Sequence, residues 1–136
     1  MKLCLRLVPF AVLAALLLTA TSCERASAFQ NQTIAISFAP DGSCQQSGSG
    51  GVASIIDVSK SHPVIYQGAA TLSQFQVTFS SCPFASGQCP VNSPTGAAVN
   101  VGNPTGTVDM VYNYSNITIN NMSCRIVGSM GVRVRP

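Results

Sequence analysis

The sequence predicts an all-β, disulfide-bridged β-sandwich of immunoglobulin-like size, built from about seven or eight short strands. Three observations carry that expectation. Apolar and polar residues alternate through residues 108–134, the pattern of strands with one buried face. Cys44, Cys82, Cys89 and Cys124 remain once an N-terminal export segment is set aside, an even number suited to an oxidising compartment. Turn residues punctuate the chain at short intervals, and no stretch carries a helical amphipathic pattern. The chain has no Trp, so the Cys…Trp…Cys spacing of true immunoglobulin domains is missing.

The N-terminus is an address. Lys2 and Arg6 form a basic start, and residues 7–18 an apolar run interrupted by Pro9. That run is shorter than the ~20 residues of a membrane-spanning helix and fits a signal peptide. Two ends compete for it. Ala26-Ser27-Ala28 is a small-x-small cleavage site, which assigns 1–28 to the signal peptide and 29–136 to a single β domain. Ala20-Thr21-Ser22-Cys23 is a permissive lipobox, which assigns 1–22 to the signal and puts a lipid on Cys23. Both place the folded part outside the cytoplasm: secreted, at the cell surface, or in the periplasm and outer membrane for a Gram-negative lipoprotein. A membrane is then touched only by the signal peptide or by the lipid.

The first expected strand covers residues 29–39, with Ile34, Ile36 and Phe38 on one face. Pro40-Asp41-Gly42 ends it with turn chemistry. Residues 43–51 are rich in Ser, Gly and Gln and read as a flexible loop pinned at Cys44. Short strands follow at 52–58 and 64–67, around a turn that holds His62 and Pro63. Residues 71–80 set Ser73, Phe75, Val77 and Phe79 on one face and Gln74, Gln76 and Thr78 on the other. An irregular loop from Ser81 to Gly96 holds Cys82, Phe84 and Cys89, and a brief strand at 97–101 precedes the Gly102-Asn103-Pro104 turn.

The final stretch reads as a β-meander. Val108, Met110, Tyr112 and Tyr114 share one phase, and Ile117 and Ile119 continue past Ser115-Asn116. After Asn120-Asn121 the apolar set resumes out of step at Met122, Cys124 and Ile126, then Met130, Val132 and Val134. A one-residue slip needs a turn or bulge to absorb it, so breaks are expected at Asn120-Asn121 and near Gly128.

Four cysteines allow three pairings. Loop length favours Cys82–Cys89 as a local staple and Cys44–Cys124 as the long bridge, worth about 2.5 and about 4.5 kcal/mol in chain entropy. No C-x-x-C pair exists and the one remaining histidine, His62, stands alone, so no metal ligand set and no cofactor is expected. His62 with Asp57 five residues upstream is the nearest approach to catalytic machinery, without a G-x-S-x-G elbow. Asp41, Asp57 and Asp109 are scattered, and no catalytic residue is assigned. Lys60, Arg125, Arg133 and Arg135 against three aspartates leave no basic patch for nucleic acid. Arg133 and Arg135 read as the solvated face of the last strand. Tyr66, Tyr112 and Tyr114 with Phe84 are candidates for a sugar-stacking platform, against a role at the edge of the core. Sequon matches start at Asn31, Asn113, Asn116 and Asn121.

The segment of residues 116–130, NITINNMSCRIVGSM, resembles the C-terminal motif of a family of small secreted bacterial proteins described as activators of alkane oxidation and associated with biofilm and surface material. With the Val/Pro tail of Val132 to Pro136, which the family also has, the likeness covers about a fifth of the 29–136 domain. It implies an all-β secreted protein with a surface or matrix role and transfers no catalytic residues.

The expectation is therefore a non-enzymatic structural or interaction protein, a matrix or fibre-forming subunit. A second reading is a small-ligand or carbohydrate-binding β module that uses the Cys82–Cys89 loop with Phe84. In the first reading the partner is the protein itself or other surface components. The strand at 30–39, tethered by the flexible 43–51 loop, would either pair within its own domain as an ordinary edge strand or add to a neighbour's sheet, filling a groove with Ile34, Ile36 and Phe38 in both cases.

Overall fold

A computed structural model describes residues 32–69, 74–94 and 97–136; the export segment, Cys23, Asn31 and Ser73 lie outside them. Eleven strands are defined: β1 Gln32–Phe38, β2 Cys44–Gly48, β3 Gly51–Val52, β4 Ile55–Ser59, β5 Val64–Gly68, β6 Phe75–Phe79, β7 Val91–Ser93, β8 Val99–Gly102, β9 Val111–Ile119, β10 Met122–Ser123 and β11 Gly131–Arg135. Three of them (β3, β7 and β10) span three residues or fewer. Eleven exceeds the seven or eight strands that the alternation suggests, because β2 and β7 form in stretches whose composition reads as loop.

The strands form two sheets, ordered β3-β2-β1-β5-β8 and β4-β11-β9-β6-β7, with β10 paired to β9. Most pairings are antiparallel, but β1 runs parallel to β5 and β11 parallel to β4. The inner faces meet in one core that includes Ile34, Ile36 and Tyr66 of the first sheet and Val77, Tyr114, Ile117 and Val132 of the second. The architecture is an all-β, disulfide-bridged sandwich.

The longest strand, β9, shows how the alternation becomes structure. Tyr112 and Tyr114 face the core, as do Ile117 and Ile119, while Ser115 and Asn116 both face out. The pairing with β6 shifts register at that point, from Thr78↔Asn116 to Phe79↔Tyr114. A bulge thus absorbs the phase change within one strand. The Asn120-Asn121 break is a tight hairpin to β10, with φ of 51° and 63°, the left-handed region that asparagine tolerates. Gly128 supplies the second break with φ 68°.

Four expectations need correction. Residues 43–51 are not a flexible loop: Cys44–Gly48 is β2, a hairpin partner of β1, and Gln46 is fully buried. Its polar composition hides a strand because the inward residue is an amide. β1 therefore has no tether, and it is hydrogen-bonded on both edges, by β2 and by β5. Ile34 and Ile36 are core residues within this arrangement, whereas Phe38 at the strand's end is 37% exposed. In the last stretch, β9 begins at Val111 because Asp109 takes a positive φ of 62° in the preceding turn. Met110 consequently lies outside the core, as does Met122 on the short β10. Finally, the 81–96 loop contains β7, which extends the second sheet beyond β6.

Two devices hold the layers together. The first is covalent: Cys44 at the start of β2 is bonded to Cys124 just after β10, tying the first sheet to the hairpin of the second. The Cys44 N–H also donates to the Arg125 carbonyl at 2.9 Å. The second is a buried polar chain. Tyr66 Oη lies 3.1 Å from Tyr114 Oη, and Tyr114 Oη donates to Gln46 Oε1 at 2.8 Å. Gln46 Nε2 donates to the Ser54 and Gly131 carbonyls at 2.7 and 2.8 Å. Since Tyr114 gives its single proton to Gln46, Tyr66 must be the donor between the two phenols. Among the described residues no buried side-chain polar atom lacks a partner, as a packed core requires.

Candidate functional site

The residues singled out for chemistry do not converge. Phe84 is packed inside: its ring meets Tyr66 and Phe79 edge-to-face at 6.3 and 5.8 Å, and only 4% of its surface is exposed. Cys82 and Cys89 are bonded to each other, and the short staple folds the intervening loop so that Phe84 plugs the end of the core. Tyr66, Tyr112 and Tyr114 are buried as well, so the stacking platform does not exist on the surface. The apolar area of these rings is satisfied by the core. Burial and the neighbouring phenol push the Tyr66 hydroxyl well above the ordinary tyrosine range, and burial does the same to Tyr114.

His62 and Asp57 are likewise separate in their partners. His62 Nδ1 lies 2.9 Å from Ser61 Oγ and 3.4 Å from Ser59 Oγ. Asp57 faces Arg133 at 3.7 Å and Arg135 at 3.3 Å, and Arg135 also reaches Asp109 at 2.7 Å. The hydrogen bonds that the Arg135 guanidinium donates to Asp109 and Asp57 hold it above its usual range. Arg133 and Arg135 form the outward face of β11, as their alternation with Val132 and Val134 predicts. Asp41 accepts from the Ser43 hydroxyl and, at 3.0 Å, from the Ser43 N–H, which lowers its carboxyl; Arg125 adds to the effect. Among the described residues no group of three His, Cys, Asp or Glu side chains could hold a metal.

One surface that the fold does assemble is an amide-rich groove of about 370 Å³ on the outer face of the second sheet. Its described lining includes Gln74, Gln76, Asn92, Thr118 and Asn121 over the backbone of Phe75 and Ser93. Register explains the arrangement. Asn92 of β7 stands opposite Gln76 of β6, Gln76 opposite Thr118 of β9, and Thr118 opposite Ser123 of β10. One row of uncharged polar side chains therefore crosses four strands. Gln76 Nε2 donates to Asn92 Oδ1 at 2.8 Å, and Asn92 Nδ2 donates to the Pro90 carbonyl at 3.3 Å. At the rim, Gln74 and Asn120 exchange hydrogen bonds: each N–H donates, to Asn120 Oδ1 at 3.0 Å and to the Gln74 carbonyl at 2.8 Å.

Alternation in residues 71–80 puts Gln74, Gln76 and Thr78 together on a polar face, whereas Asn92 falls in a stretch whose turn residues read as an irregular loop. The Val91-Asn92-Ser93 alternation is too short to announce a strand, so the signal for the row was half present. The exposed sequon asparagines 113, 116 and 121 lie on β9 and its hairpin. In comparisons with known proteins, the chain matches no family model, no curated protein and no solved structure.

Proposed function

We propose that this chain is an exported, non-enzymatic structural and interaction domain of the cell surface or extracellular matrix. The single observation that carries the reading is the Cys44–Cys124 bond. It joins the two sheets across a sequence separation of 80 residues, and a fold that relies on such a weld belongs in an oxidising compartment. The signal-like N-terminus and the likeness of residues 116–130 to secreted, surface-associated proteins support the same reading. Intact mass measurement of the protein from cell fractions tests it. The expected species starts at Phe29 or carries lipid on Cys23, with all four domain cysteines oxidised; a chain that keeps residues 1–20, or free thiols, overturns it.

A second reading, a carbohydrate-binding β module, is favoured by the amide row of the outer sheet face. It replaces the Phe84 loop as the place where a ligand would sit. The two readings are compatible, because a matrix protein needs something in the matrix to hold.

A further inference from the structure

We propose that the row Asn92–Gln76–Thr118–Ser123, rimmed by Gln74 and Asn121, is a binding site for an extended, uncharged, β-1,4-linked polysaccharide. The inference deepens the carbohydrate-binding reading above and rests on it.

The chemistry of the groove selects the class of ligand. None of its described lining side chains carries a charge, so it offers no counter-ion to a polyuronate, a phosphate or a nucleic-acid backbone. It also lacks the basic or acidic complement that steers a charged protein partner. What it offers is paired donors and acceptors. A primary amide presents an N–H and a C=O side by side, and a hydroxyl does both in one atom. Neighbouring sugar hydroxyls have the same dual character. Gln76 is already oriented by its bond to Asn92, and Asn92 by its bond to Pro90. Among the described residues, Gln76 Oε1 and the Thr118 hydroxyl have no protein partner. Gln76 and Asn92 are thus held in place while part of the row's hydrogen-bonding capacity faces solvent, the preorganisation that lowers the cost of binding.

Geometry narrows the class further. Strands stand ~4.8 Å apart, so four of them set the row's side chains over a span of ~14 Å. The spacing is close to the length of one sugar ring, and the span covers about three rings. A flat ribbon-like chain, as β-1,4 linkage gives, keeps successive hydroxyls on a straight line across the strands; a coiled α-linked chain does not. Among the described residues no aromatic ring is exposed in the groove, since Phe75 is 3% accessible. Affinity therefore comes from hydrogen bonds alone and is weak for a short oligosaccharide. It is multiplied on a polymer that several domains can share.

The test is affinity electrophoresis of the purified, oxidised domain through gels containing hydroxyethyl cellulose or glucomannan, with dextran and alginate as comparators. Retardation by the two β-1,4-linked neutral polymers, unchanged in high salt, is the expected result. The Gln76→Ala/Asn92→Ala double variant should weaken it about tenfold, the loss of one to two net hydrogen bonds. Thr118→Val, which keeps the strand propensity of its site, should weaken it in the same direction and serves if the double variant does not fold. No retardation by either neutral polymer, equal retardation by dextran, retardation by alginate alone, or variants that migrate like the parent each overturn the proposal. The assay uses purified protein, so its failure leaves the export reading to the mass measurement, and a failed mass measurement leaves this site untouched.

Discussion

Gln46 is the residue whose replacement tests this fold most directly. It is fully buried in a stretch whose composition resembles a linker, and its side chain touches both sheets. Gln46→Met keeps the length and approximate volume and removes all three hydrogen bonds. Of the groups left behind, the Ser54 carbonyl keeps the Gly131 N–H at 2.9 Å, but Tyr114 loses the acceptor of its proton, and one of the two buried phenols is left without an acceptor. The Gly131 carbonyl keeps its place in the parallel ladder with β4, where Gly131 stands opposite Ile55. One buried orphan at roughly 1–3 kcal/mol and two lost bonds at roughly 0.5–1.5 kcal/mol each give about 2–6 kcal/mol. Against a total stability on the order of 5–15 kcal/mol for a domain of this size, that is a large fraction. Urea denaturation of the oxidised protein measures it. Tyr66→Phe, which removes only the terminal donor of the chain, should cost about 1 kcal/mol. Combined with Gln46→Met it should cost less than the sum, because the two changes act on one network. A Gln46→Met protein within about 1 kcal/mol of the parent would refute the view that this amide is the polar tie between the sheets.

Other outcomes follow from the same structure. Replacing Cys44 and Cys124 together by Ala should destabilise the protein by about 2 kcal/mol more than replacing Cys82 and Cys89, since the longer loop removes more unfolded-state entropy; thermal melts compare the two. Gly131→Ala should be among the most damaging single-methyl changes, because its Cβ would lie 2.2 Å from the Tyr112 carbonyl oxygen on the neighbouring strand, and overpacking of this kind costs about 1–3 kcal/mol or more in chemical denaturation. Tyr66 and Tyr114 are held neutral by burial, with hydroxyls raised above the unfolded value. A group raised in the folded state contributes stability that is complete below its unfolded pKa of about 10 and is lost as pH rises beyond it. Urea midpoints should therefore fall above that pH, with phenolate absorbance appearing together with unfolding; phenolate formation at these two residues in a still-folded protein would contradict it.

Much of this protein was legible in the chain itself. Side chains alternate along a strand whatever it pairs with, so the inward set of β6, β9 and β11 could be read from Phe75-Val77-Phe79, Tyr112-Tyr114, Ile117-Ile119 and Val132-Val134. Turn chemistry is equally local: Asn120-Asn121 adopts the left-handed backbone that two asparagines permit, and Gly128 does the same further on. What only the tertiary structure decided is which strand lies beside which. Pairing is a relation between distant residues, and nothing near Ile34 tells that β1 will be enclosed between β2 and β5 rather than left at an edge. The same holds for Gln46, polar in composition yet buried because three partners from elsewhere in the chain receive it. Phe84 turns inward because a disulfide closes its loop over an aromatic cluster assembled from β5, β6 and β9. The amide row exists because register lines up Asn92, Gln76 and Thr118, residues that share a face only after three separate segments have come together. Local sequence sets the face each side chain takes, and long-range pairing sets its neighbours there.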